Sequence, residues 1–137
     1  GPVIGDGATA SGAFELAIPK ETMIMAITGE DDTLTTGTGK VTWQMPFAMT
    51  ATGIKASVKT APVGSTIIVD LNEAGSTVLS TKLTIDAGET SSDTEADPPV
   101  FSDTGLADNA IMTVDVDQVG SGTAGVGLKV YLTGVRV

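Results

Sequence analysis

The chain has 137 residues, 17 acidic and 7 basic side chains, a formal net charge of −10, and neither His nor Cys. That length can bury one core without covalent staples, while the missing Cys and His exclude disulfides, thiolate metal sites and Ser–His or Cys–His nucleophile pairs. The negative balance argues against a phosphate backbone as partner, because such binding rests on Lys and Arg; no apolar run reaches the roughly 18 residues of a membrane span, and no signal pattern opens the chain.

Gly1-Pro2 reads as the scar of protease removal of a tag, and residues 1–20 as an extended Gly/Ala/Thr/Ser arm with one apolar patch, Phe14 to Ile18, closed by Pro19. From residue 21 the period becomes 2. Met23, Met25 and Ile27 share one face, and Thr22, Ile24, Ala26 and Thr28 the other. After an acidic turn at Glu30-Asp31-Asp32, Val41, Trp43 and Met45 oppose Thr42 and Gln44, and Pro46 stops the strand. Ile54, Ala56 and Val58 form the next inner row, followed by Ile67, Val69 and Leu71 against Ile68 and Asp70. A turn at Asn72 to Gly75 leads to Leu79, Thr81, Leu83 and Ile85, alternating with Val78, Ser80, Lys82 and Thr84.

An irregular acidic connection then runs to residue 109. Met112, Val114 and Val116 alternate with Thr113, Asp115 and Asp117, and after a Gly-rich stretch Val126, Leu128, Val130 and Leu132 alternate with Lys129, Tyr131 and Thr133. These last two runs read as a C-terminal hairpin with a flexible glycine turn. The Gly-rich stretch lacks the Gly-Lys-Ser/Thr and following helix of a phosphate loop, and Gly127 suits a close backbone approach.

The pattern predicts an all-β domain over residues 21–137: an antiparallel β-sandwich of seven or eight strands with little helix. Residues 29–40 and 86–109 are too long for hairpin loops and suggest crossovers between two sheets, which favours a jelly-roll-like order.

Few side chains stand out as chemistry. Trp43 shares the inner row of Val41 and Met45, so core packing is favoured over a sugar platform. Tyr131 lies on an outer row, as an interface residue or a ligand platform, and the outward apolar residues Ile24, Ile68 and Ile111 join it as candidates for a subunit interface. Asp115 and Asp117 project together and are weak metal candidates, with solvation or Lys pairing as the simpler reading; Asp70 is weighed the same way. The acidic loops lack EF-hand spacing, so no cofactor is expected, with calcium as the alternative. No catalytic constellation emerges, and the expectation is a non-enzyme.

The segments Ala26 to Pro62, Ser65 to Glu89 and Ala107 to Gly134 carry a strand closed by Met45-Pro46, the VDLNEAG turn, the STKLTIDAGE strand and a VDVDQVGSGTAG ending. Together they resemble a β-sandwich module of tailed-bacteriophage structural proteins. The resemblance implies a virion surface domain, often trimeric and C-terminal in a longer tail- or fibre-associated protein. Host attachment is the role it suggests first, with other virion proteins and host surface polysaccharide as partners. Capsid decoration and a calcium-dependent carbohydrate-binding module are the alternatives. It implies no catalytic residues.

Overall fold

A computed structural model describes residues 18–137. The strands in chain order are β1 (Lys20–Ala26), β2 (Gly37–Gln44), β3 (Met49–Ser57), β4 (Ile67–Glu73), β5 (Ser76–Thr77), β6 (Leu79–Thr81), β7 (Leu83–Ile85), β8 (Val100–Phe101), β9 (Gly105–Leu106), β10 (Ile111–Val119) and β11 (Lys129–Arg136), with one short 3-10 turn at Ser92–Thr94. The expected arm lies outside the described residues except for residues 18–20, and Lys20 already belongs to β1.

Two antiparallel sheets form the sandwich. Sheet one runs β1-β11-β3-β9, and sheet two runs β2-β10-β4, with β5 and β7 both on the far side of β4. Taken as one interrupted strand, β5 to β7 gives eight strand positions, of which the first pairs the last, the second the seventh, the third the sixth and the fourth the fifth. That is the jelly-roll order, a long hairpin rolled so that successive strands fall in opposite sheets, except the fourth and fifth, which pair at the hairpin's tip. β6 and β8 form a small separate ribbon within the connection.

The inner rows follow the alternation. Ile54, Ala56 and Val58 of sheet one's third strand and its extension, with Val130 and Leu132 of β11, pack over Val69, Leu71, Met112, Val114 and Val116 of sheet two, all buried. Fully burying each of these side chains other than Ala56 contributes about 2 kcal/mol. In β3, Thr52 is an extra residue opposite the step from Thr133 to Gly134, so Ala51 and Ile54 both point inward despite their odd spacing.

Three sequence expectations are corrected. β10 and β11 are not a hairpin: β10 lies between β2 and β4, and β11 lies between β1 and β3. Alternation states which face a residue takes, and it leaves the neighbouring strand open. The run from Val78 to Ile85 is not one strand, because Val78 and Leu79 are both buried and Leu79 donates its N–H to Thr77 Oγ1, breaking the period. Asp70, read as outward and wet, points outward but is only 6% exposed.

The two ends of the sandwich differ. At one end the connections of residues 27–36, 58–66, 86–104 and 120–128 are laced by backbone bonds, among them Leu34 N–H to Gly125 O, Val126 N–H to Thr60 O, Val63 N–H to Thr123 O and Gly88 N–H to Pro62 O. Gly127 sits there at φ +70, where a Cβ would collide with the Glu30 carbonyl, so the close approach read from the sequence is present. At the other end are short turns, tied by Met45 N–H to Ala110 O and Asn109 N–H to Met45 O. The start of β1 and the end of β11 also lie at this end, since Lys20 pairs with Val135 and Val137 donates to Ala48 O.

Candidate functional site

The sandwich offers three surfaces: the outer face of each sheet and the long-loop end. On sheet one the outward positions are Lys20, Thr22, Ile24 and Ala26 of β1, Lys129, Tyr131, Thr133 and Val135 of β11, and Thr50, Lys55 and Ser57 of β3. The register sets Ile24 against Tyr131, and Tyr131 against Lys55. Ile24 is 64% exposed, whereas Tyr131 is half-buried, its hydroxyl 2.9 Å from Ser57 Oγ. Beside this pair Thr22 and Thr133 share a hydroxyl bond of 2.9 Å. A shallow cavity of about 250 Å³ opens between Lys55, Ser57, Ser91, Asp93 and Tyr131.

Sheet two turns a different surface outward. Asp115 stands opposite Asp70 across β10 and β4, at the centre of a side-chain network. Its carboxylate accepts the Gly39 N–H of β2 at 2.8 Å and the Asn72 amide of β4 at 2.9 Å, so one side chain joins three strands. Asp70 accepts the Thr77 hydroxyl at 2.5 Å, which fastens β5 and explains its burial. Lys82 lies 2.6 Å from Asp117 and 3.9 Å from Asp70, and the Asp117 bond holds the Lys82 ammonium above its ordinary pKa. A second cavity of about 350 Å³ is lined by Thr38, Gly39, Asn72, Gly75, Thr113 and Asp115.

The metal candidates therefore have other partners. Asp115 serves backbone and amide donors, and Asp117 serves Lys82, the pairing weighed from the sequence. A cation at this pair would have to displace the Lys82 ammonium or strip Asp115 of two donors. Among the described residues, no group of three or more carboxylates is placed to hold a metal ion.

The four interface candidates do not form one patch. Ile24 and Tyr131 meet on sheet one, while Ile68 and Ile111 sit toward opposite ends of sheet two's outer face, Ile68 beside Gln118 and Ile111 beside Gln44. Ile68 is half-buried and Ile111 is 48% exposed. Trp43 packs against the core from edge strand β2, with its indole N–H buried and without a hydrogen-bond partner.

The long-loop end is acidic. Asp31 pairs with Lys59, which holds the Asp31 carboxyl below its ordinary range, and Glu30 pairs with Lys129. Glu95 has the opposite shift: burial, aided by Asp86 and Asp93, pushes its carboxyl up. At the short-turn end Arg136 makes two bonds of 2.8 Å to Glu21 and lies 3.9 Å over the Phe47 ring, a pairing that holds Glu21 below its ordinary range. Sequence reading missed this clasp, since Glu21 and Arg136 are 115 residues apart.

No protein-family model, curated protein or solved structure matches the chain.

Proposed function

We propose that this domain is a non-enzymatic display module of a bacteriophage virion, tail- or fibre-associated, whose long-loop end meets the host surface. The observation that carries the reading is the polarity of the jelly roll. Residues 18–20 and Val137 share the short-turn end, and the four long connections are gathered and bonded together at the opposite end. Such a layout lets a particle hold one end and present the other on a rigid scaffold. Jelly rolls serve viral particles and lectins alike, which agrees with the motifs that resemble phage structural modules. Display as a homotrimer suits the role, since several weak contacts acting together gain avidity.

The test is binding of the purified domain to host cells and to their isolated surface polysaccharide, with phage heads and chelator-treated samples in parallel. Binding to cells, unaffected by chelation and lost in the triple variant Glu30→Gln, Asp31→Asn, Asp32→Asn, which spares the buried Leu34, is the expected result. Binding to phage heads alone would replace attachment with capsid decoration.

A further inference from the structure

We infer that the outer face of sheet one is a self-association surface, and that its occupant is the same face of further copies of this chain. The inference rests on the homotrimer proposed above and names the surface that would build it.

Electrostatics selects the face. At a net charge of −10, two copies repel wherever carboxylates face each other. Carboxylates crowd the long-loop end, and Asp70, Asp115 and Asp117 occupy sheet two's outer face. The outward positions of β1, β11 and β3 hold none, although the chain has 17 acidic residues. What they hold is Ile24, Ala26, Tyr131, Val135, Ser57, four threonines if the bulged Thr52 is counted, Lys20 and Lys129 toward the two ends, and Lys55 opposite Tyr131, where Asp93 lines the same shallow cavity. Lys129 is already neutralised by Glu30.

Composition agrees. Ile24 is the most exposed large aliphatic side chain within the described strands, and its cross-strand neighbour is the lone Tyr of the chain. A buried aromatic beside an aliphatic, rimmed by hydroxyls, is the makeup of an interface centre. Copies gathered about an axis past Ile24 would bring these residues into repeated contact.

The face is small. Three strands of about eight residues cover roughly 400 Å² per copy, and in a trimer that face is shared between two neighbours, so each pair buries about 400 Å², well below the standard interface. The association is therefore weak and follows mass action, with dissociation in the micromolar range. Because both partners are anionic overall and no opposite charges need meet, added salt should strengthen it.

Sedimentation equilibrium from about 1 to 300 μM tests this. The expected result is a mass that rises with concentration toward three chains and rises further between about 50 and 300 mM salt. Ile24→Lys should hold the protein monomeric, with far-ultraviolet circular dichroism unchanged. Ile111→Lys, an equivalent change on sheet two, should leave assembly as it was. A wild type that stays monomeric throughout overturns both the trimer and its surface. An oligomer that survives Ile24→Lys, or that salt dissociates, overturns the surface alone. Neither outcome bears on host binding, which is measured separately. Should Ile24→Lys fail to fold, Ile24→Thr, a strand-compatible residue, must weaken assembly at least tenfold for the inference to stand.

Discussion

The two outer faces of this sandwich are built from the same pleat and furnished in opposite ways. Sheet two closes its face with side-chain bonds: Asp115 reaches Gly39 and Asn72 on its two neighbouring strands, Asp70 holds Thr77, and Lys82 bridges the carboxylates. Sheet one leaves its face open, with side-chain bonds confined to Thr22–Thr133, Tyr131–Ser57 and Thr52 to the Thr133 carbonyl in its central strip. The difference teaches where side-chain bonding adds stability and where contact area is left over. A face whose polar groups satisfy one another has little left to offer a partner, whereas a face of hydroxyls, Ile and Tyr has contact area to give.

The comparison predicts unequal costs of substitution. The largest falls on sheet two. Asp115→Ala strands a backbone N–H and a buried amide, and should cost about 3 kcal/mol by urea denaturation. Asp70→Ala leaves Thr77 without its carboxylate partner but keeps Lys82 paired with Asp117, so about 2 kcal/mol is expected. On sheet one, Thr133→Ala and Ile24→Lys should change monomer stability by no more than about 0.5 kcal/mol. Equal costs on the two faces would erase the distinction.

The turn beside sheet two's network gives a gain instead of a loss. Ala74 and Gly75 join β4 to β5 with φ of +51 and +86, a two-residue turn of the I′ kind. Ala is strained there and Asn tolerates it, so Ala74→Asn should add about 1 kcal/mol and raise Tm by about 3 °C.

The smallest effects concern pH, at the two ends of the sandwich. Glu95 has its carboxyl raised by burial and by Asp86 and Asp93, so its charged form opposes folding above that raised pKa. Glu95→Gln should therefore raise Tm at neutral pH, and the advantage should shrink as pH falls through the raised pKa and be gone below the ordinary carboxylate value. Glu21 and Asp31 have the opposite sign. Their lowered pKa values add stability above the ordinary carboxylate range that is lost as pH falls below it, a small effect for such exposed groups.

How much was legible beforehand divides along physical lines. Inner and outer rows were readable because burial on one side imposes period 2, and Met112, Val114, Val116, Leu128, Val130 and Leu132 all lie where alternation puts them. Two of the crossovers, within residues 29–40 and 86–109, were readable from loop length. Strand partnership was not: a glycine-rich link between two alternating runs looks like a hairpin, yet residues 120–128 bond to residues 58–63 and carry the chain to the other sheet. The burial of Asp70 was equally hidden, because it depends on Thr77 and Lys82 folding over it. Of the candidate surface, the sequence exposed Ile24 and Tyr131 separately, and only the register of β1 on β11 makes them neighbours.

The most direct test follows nuclear magnetic resonance shifts of the ¹⁵N-labelled domain as concentration rises. The account predicts shifts confined to Thr22, Ile24, Lys55, Tyr131, Thr133 and their neighbours on sheet one. Shifts centred on Asp70, Ile111 and Asp115, or none at any concentration, would contradict it.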